Sequence, residues 1–360
     1  MSRTHNFNAG PAILPVDVVR ETAEAVIDFN GTGMGLMEVS HRSKEFDAVM
    51  IEAQQDLLKI MKLSPDEYDV LFLGGGASMQ FLMVPYNFFS TKADYVVTGV
   101  WAKKAYKEAK YFGDTHIAAT SEDANFNYLP KSFNFSPDAD YVHITTNNTI
   151  YGTEWKSLPD TGDVPLVADM SSDFLGWDFD FSKCSLIYAG AQKNVGPSGV
   201  TVVVVKKSWL ESKGRKDIPT MMNYKTHTDN GSMFNTPPCL PVFAVGRTFK
   251  WILRQGGVAA IQANNEKKAK IIYDAIDAHP DFYKGAVVNP EDRSLMNITW
   301  NLTTPELENK FINEAKALKM IGLKGHRSVG GVRASVYNAC PLESAEALAN
   351  FMEEFYNNNK

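Results

Sequence analysis

Lys193 is the residue whose setting most narrows its chemistry. It stands in Ala189-Gly190-Ala191-Gln192-Lys193-Asn194-Val195-Gly196-Pro197-Ser198-Gly199, between the apolar runs Leu186–Ala189 and Val200–Val205. A lysine in a polar helix is a solvated surface charge. This one is flanked by small residues and glycines, which leave room for a bulky ring. An amine so placed loses water, its pKa falls, and the neutral form can attack a carbonyl.

Other chemistry-bearing residues also follow apolar runs. Asp169 ends Leu166–Ala168. A carboxylate there either caps the next turn or pairs with a protonated ring nitrogen, keeping that ring an electron sink. Trp101 falls where a helix over 102–111 should start, and offers packing or a flat face for an aromatic ring. Gly74-Gly75-Gly76-Ala77-Ser78 follows Val70–Leu73 and feeds a helical stretch opening near Met79. Free N–H groups and a helix dipole there suit phosphate, but a tight turn needing positive φ uses the same residues. With neither Gly-x-Gly-x-x-Gly nor a Gly-Lys-Ser/Thr ending, the loop fits a dinucleotide site or a P-loop poorly.

The cations complete the set. Arg42, in Ser40-His41-Arg42, lies near a helix start, where the dipole opposes it and an anionic ligand would compensate. Arg333 lies in an apolar strand, where an unpaired charge is costly. Lys324-Gly325-His326-Arg327 gathers positive charge on a glycine-rich turn, which suits either a solvated loop or a substrate anion.

These residues need a frame. Val16–Phe29 and Phe46–Met61 carry apolar residues at helical spacing. The short apolar runs Val70–Leu73, Tyr95–Thr98, Tyr141–Thr145, Leu166–Ala168, Leu186–Ala189 and Val200–Val205 read as buried strands. Helices alternating with such strands predict a mostly parallel α/β sheet, whose ligands gather beyond the strands' carboxyl ends. Residues 240–277 predict one or two long helices interrupted near Gly256 and Gly257. Beyond them a strand at Leu295–Leu302, a helix at Leu307–Leu318, a strand at Val332–Tyr337 and a helix at Ser344–Tyr356 predict a smaller α+β domain. The expected division is 16–260 against 1–15 with 261–360.

The 360 residues suffice for two domains, and 44% hydrophobic with 22% charged residues is an ordinary globular balance. A net charge of −6 without a basic stripe gives nucleic acid little to hold. The three cysteines, Cys184, Cys239 and Cys340, show no disulfide or metal-ligand spacing. No export signal opens the chain, and no apolar run is long enough to span a bilayer, so a reducing, cytoplasmic setting is expected.

Taken together and in order, these segments resemble the phosphoserine aminotransferase family, a branch of the fold-type-I pyridoxal-phosphate enzymes. The likeness runs from Phe7-Asn8-Ala9-Gly10-Pro11-Ala12 to the terminal helix. It is carried by Glu38-Val39-Ser40-His41-Arg42, by Tyr188 through Asn194, by Asn230-Gly231-Ser232-Met233-Phe234-Asn235-Thr236-Pro237-Pro238, by Lys324 through Arg327, and by Arg333-Ala334-Ser335.

The resemblance implies pyridoxal 5'-phosphate held as a Schiff base on Lys193, with Asp169 at the pyridine nitrogen. Trp101 would stack on the ring and Thr149 would bond its phenolic oxygen. Gly76, Ala77, Ser78 and Gln192 would hold the phosphate, completed by Asn235 and Thr236 of a neighbouring subunit in a homodimer. Arg333 would take the substrate α-carboxylate, and His41, Arg42, His326 and Arg327 the second anionic group. Some relatives have an arginine in the glycine loop, so here phosphate contacts would rest on backbone N–H groups and Ser78. Some have serine in place of Ala9, so any contact there must come from the main chain. The implied reaction is amino transfer between glutamate and 3-phosphohydroxypyruvate, in serine biosynthesis and, for some members, a related step of vitamin B6 synthesis. Rival readings are an alanine–glyoxylate type of aminotransferase, a cysteine desulfurase, an oxidoreductase, or a non-catalytic anion-binding protein in which Lys193 is only structural.

Overall fold

A computed structural model describes residues 3–360. In chain order the elements are β1 (His5–Asn6), α1 (Val16–Ile27), α2 (Lys44–Met61), β2 (Tyr68–Leu73), α3 (Gly76–Phe88), β3 (Lys92–Val97), α4 (Val100–Ala109) and β4 (Asp114–Thr120). Then come β5 (Val142–Thr145), β6 (Leu166–Asp169), β7 (Cys184–Gly190), β8 (Thr201–Lys206), α5 (Lys207–Lys213), α6 (Tyr224–Thr228) and α7 (Cys239–Arg254). The chain ends with α8 (Val258–Asp277), β9 (Tyr283–Gly285), β10 (Asn297–Leu302), α9 (Pro305–Ala317), β11 (Met320–Ile321), β12 (Val332–Ser335) and α10 (Leu342–Asn359).

The main sheet has seven strands in the order β2-β8-β7-β6-β5-β3-β4. β8 runs antiparallel to both neighbours, and the other pairings are parallel. Its valines show why both faces are buried: Val202 and Val204 enter one apolar cluster, Val203 and Val205 the other. Phe46, Ala53 and Leu57 of α2 and Val242, Val245 and Phe249 of α7 line the first cluster. Phe81 and Val84 of α3 and Ala105 and Ala109 of α4 line the second. All parallel strands therefore end on one edge, where Gly74, Thr98, Thr146, Met170 and Ala191 each leave the sheet.

A third cluster lies under the antiparallel sheet β12-β10-β9. Ile298, Trp300 and Leu302 of β10 face it, so the alternate residues, Thr299 among them, face away. Helix α8 joins the units: Val258 and Ile261 pack in the first cluster, Ala269, Ile272 and Ile276 in the third. Its separation from α7 follows from Gly256 and Gly257, with φ of +101° and +82°, which an ordinary helical residue would not adopt. The expected break and both long helices are present. The N-terminal strand β1 pairs in parallel with β11, and Phe7 and Ile13 join the third cluster.

The edges differ from expectation in small ways. Helix α3 opens at Gly76 instead of near Met79, because Gly75 takes φ +87° and turns the chain directly into it. Trp101 lies inside the first turn of α4 instead of ahead of it. The strand expected over 332–337 ends at Ser335. Strands β4 and β9 lack a plain apolar pattern: β4, at the sheet edge, is largely half-exposed, with only Ala118 buried.

Candidate active site

The carboxyl-end edge of the main sheet opens into a cavity of about 210 Å³. Its walls include Gly76, Ala77 and Ser78 at one end, Trp101 and Thr149 at the side, and Asp169, Gln192 and Lys193. Lys193 Nζ donates to Thr149 Oγ1 at 2.8 Å and lies 5.8 Å from the centroid of the Trp101 ring. The lysine loop is closed at its base by Ala191 N donating to Val200 O at 3.0 Å. The N-terminal segment clamps it from above, with Ala12 N donating to Gln192 O at 2.9 Å. Ala9 contributes through its main chain alone: its carbonyl accepts from Tyr337 Oη at 2.8 Å.

Burial lowers the Lys193 amine to about 8, and the Arg333 charge pushes the same way, while Asp169 and Asp173 pull it back. Asp169 is buried, and Ser171 fastens it: its N and Oγ donate to Asp169 Oδ1 at 2.9 and 2.6 Å. Burial pushes the Asp169 carboxyl up, against the Ser171 bonds and the Lys193 charge. Such a carboxylate is held short of a full cationic partner and gains most from one arriving in the cavity. Ser171 Oγ also accepts from Gly190 N at 3.2 Å, so it ties the ends of β6 and β7.

The residues fit pyridoxal phosphate on grounds internal to the cavity. Helix α3 begins without a side-chain cap, leaving first-turn N–H groups open beside Ser78. Trp101 Nε1 and Thr145 Oγ1 are buried and lack a hydrogen-bond partner among the described residues. The ring face of Trp101, the Asp169 carboxylate and the Lys193 amine line the same cavity, as an aromatic, cationic, carbonyl-bearing cofactor requires.

The cations expected to bind substrate divide. His326 and Arg333 line an adjoining cavity of about 250 Å³ with Tyr151, Thr299 and Asn301. The stretch Thr149–Tyr151 separates the two spaces, Thr149 lining one and Tyr151 the other. Arg333 Nη1 donates to Thr149 O at 3.0 Å, and its Nε is buried and unpartnered among the described residues. Burial holds the His326 imidazole below its usual range, and the charges of Arg333, Arg327 and Lys104 add to this. His41, Arg42 and Arg327 line neither cavity; Arg42 and Arg327 are exposed. Asn235 and Thr236 are exposed too, and Asn235 borders a separate cleft with Gly74 and Met79. Sequence reading missed Ser171, Ser172, Thr145 and Asn147, which also line the Lys193 cavity. The signal was present: Thr145 closes the run Tyr141–Thr145 and Asn147 follows it, while Ser171 and Ser172 lie within four residues of Leu166–Ala168.

Comparison with known proteins decides the family. The class-V aminotransferase family model matches residues 4–348. The chain belongs to the class-V aminotransferases. A phosphoserine aminotransferase of Lysinibacillus sphaericus is 55% identical to this aminotransferase over 357 residues, 98% of each chain. The phosphoserine aminotransferase structure from Bacillus circulans subsp. alkalophilus superposes with a TM-score of 0.96 at 49% identity, covering 99% of both chains. The pyridoxal-phosphate-bound phosphoserine aminotransferase of Trichomonas vaginalis gives a TM-score of 0.91 at 36% identity, covering 98% of this chain and 100% of that one. No helix of this aminotransferase among the described residues is long and apolar enough to cross a membrane.

Proposed function

We propose that this chain is a phosphoserine aminotransferase. It moves the amino group of glutamate to 3-phosphohydroxypyruvate, giving O-phospho-L-serine and 2-oxoglutarate. The observation that carries the reading is one cavity joining a desolvated lysine amine, a buried carboxylate, a tryptophan face and an uncapped glycine helix start. Near-full-length identity of about half to curated phosphoserine aminotransferases supports the substrate.

Pyridoxal phosphate, when bound, supplies an electron sink for the pair left as the substrate α-proton departs. Backbone N–H groups of Gly76, Ala77 and Ser78, with Gln192, hold its phosphate. Trp101 supports its ring and Thr149 its phenolic oxygen. The Asp169 carboxylate keeps the ring nitrogen protonated, and Ser171 keeps the carboxylate in place. The Lys193 amine would take the proton from the substrate α-carbon and hold it for delivery to the cofactor carbon on the other side of the amino nitrogen, which its pKa of about 8 allows near neutral pH. Arg333 turns from Thr149 O to the substrate α-carboxylate. His326, beside Arg333, gathers the second anion, whether phosphate or the glutamate side-chain carboxylate; Arg327, His41 and Arg42, outside both cavities of their own chain, would have to move in or reach it from a neighbouring subunit. The same cations suit 3-hydroxy-2-oxo-4-phosphooxybutanoate, the related vitamin B6 substrate.

The exposed Asn235 and Thr236, away from their own chain's cavity, fit a homodimer in which each subunit completes its neighbour's phosphate site. Residues 16–260 form the cofactor unit; 1–15 and 261–360 bring Arg333, His326 and Arg327 to it. Three unpaired cysteines fit the reducing cytoplasm.

The purified protein should be yellow, and borohydride should fix the cofactor on the peptide containing Lys193. Rates are then compared with phosphohydroxypyruvate and with unphosphorylated hydroxypyruvate as acceptors. A colourless protein indifferent to added pyridoxal phosphate would end the aminotransferase reading. Equal rates with both acceptors would end the phosphate role of His326 and Arg327.

A further inference from the structure

The segments carrying Lys193, Asp169 and Arg333 are tied together at one buried asparagine. Asn338 lies just past β12, three residues beyond that strand's last residue, Ser335. Its backbone N donates to Asn194 Oδ1 at 3.0 Å, next door to Lys193. Asn194 Nδ2 donates in turn to Ser172 O at 3.1 Å, on the segment that follows Asp169. The Asn338 side chain donates to Phe174 O and Leu175 O, both at 3.3 Å, and accepts from Asn265 Nδ2 of α8 at 2.9 Å. Lys268, also on α8 and fully buried, pins the same turn by donating to Val336 O at 2.9 Å and Tyr337 O at 2.7 Å.

A second tie joins the reacting groups directly. Thr149 accepts from Lys193 through its hydroxyl and from Arg333 through its carbonyl. The links therefore close a ring: Lys193, Thr149, Arg333, β12, Asn338, Asn194 and back to Lys193. The two ties differ in kind. Those on Thr149 are made by the amine and the guanidinium themselves, and both must release Thr149 to act on a substrate. The Asn194–Asn338 tie uses no reacting group and is the one that can persist through turnover. Both amides are buried with donor and acceptor ends engaged, which gives directional anchoring that an apolar pair of similar volume would lack.

We propose that Asn194 and Asn338 are positioning residues, which hold the spacing between Lys193 and Arg333 while cofactor and substrate replace the contacts on Thr149. This rests on the carboxylate role given to Arg333 above.

The test is calorimetric binding of glutarate, a dicarboxylate without an amino group, to the holoenzyme and to Asn194→Ala, Asn338→Ala and Arg333→Gln. Steady-state constants for glutamate and melting temperatures accompany it. Asn194→Ala should weaken glutarate about tenfold, equivalent to about 1.4 kcal/mol, and raise the glutamate KM more than it lowers kcat. Asn338→Ala should act in the same direction but less, since the backbone bond to Asn194 survives. Lower melting temperatures with unchanged glutarate affinity and KM in both asparagine variants would overturn the proposal. If Arg333→Gln also leaves glutarate binding unchanged, the carboxylate assignment fails instead. Should neither asparagine variant fold, hydrogen exchange of the 336–340 peptide in the wild-type holoenzyme decides. Protection undiminished by saturating glutarate supports the persistent tie, and protection lost on binding overturns it.

Discussion

Replacing Lys193 by methionine should stabilise the cofactor-free protein at neutral pH while abolishing turnover. The amine is lowered from 10.5 to about 8, chiefly by burial. At about 1.36 kcal/mol per pH unit that shift corresponds to about 3 kcal/mol of penalty on the charged form. The cavity admits water to part of the side chain, which discounts the figure to about 1–3 kcal/mol. Methionine also forfeits the bond to Thr149, a net loss of about 1 kcal/mol. The expected gain at pH 7 is therefore about 0–2 kcal/mol. Its pH dependence has a fixed sign. Between about 8 and 10.5 the unfolded chain holds the proton that the folded chain has released, so wild-type stability rises with pH across that window. The advantage of Lys193→Met should shrink over the same interval. Denaturant unfolding of both apo proteins at fixed protomer concentration, at pH 7 and at pH 10.5, measures it. A variant less stable than wild type at pH 7, or a gap that does not change with pH, would show that the amine is not desolvated. The catalytic corollary is that about a quarter of such amines are neutral at pH 7.5, against about one in a thousand for an ordinary lysine.

Three other substitutions probe neighbouring parts of the site. Ser171→Ala removes the 2.6 Å bond to Asp169, a charge-assisted contact worth about 1.5–3 kcal/mol; pyridoxal phosphate retention on dialysis should fall by at least tenfold, and unaltered retention would deny Asp169 its place at the ring. His326→Gln should raise KM for phosphohydroxypyruvate while leaving hydroxypyruvate turnover near wild type, and parallel losses with both acceptors would refute a phosphate role. Lys268→Met strands the Val336 and Tyr337 carbonyls and should cost about 2 kcal/mol in denaturant unfolding, partly offset by relief of a buried amine; equal stability would show that those bonds contribute nothing net.

The parts of the fold legible in the sequence are those where burial leaves an unbroken signal. The valines of β8 announce a strand covered on both faces, and Gly256-Gly257 announces the break between α7 and α8. Strand β4 lacks that signal because the sheet ends there and one side of its residues meets solvent. Strands β1 and β11 are two residues each and exist through their pairing with one another. In the candidate site, Lys193, Asp169, Trp101 and the glycine turn could be found because each lies within four residues of the end of an apolar run. Ser171 could be found by the same rule, but its part, joining Asp169 to Gly190, depends on which strands lie side by side. The ring through Asn194 and Asn338 was beyond reach, since it joins residues 144 positions apart by a main-chain to side-chain bond.

The pairing of β1 with β11 also orders events during synthesis. His5 sits opposite Met320, so the first strand made must wait for nearly the whole chain before it has a partner. The seven-stranded sheet spans only residues 68–206, and β7 and β8 are neighbours in both sequence and space. The loop bearing Lys193 can therefore close while the ribosome is still adding α8 and everything beyond it. Residues 5–12 seal that loop through Ala12 and Gln192, and their strand β1 has no partner until β11 is made. A nascent chain stalled before residue 320 would carry the lysine loop with the start of its cover unanchored, which makes the N-terminal strand a closing stitch of the candidate site.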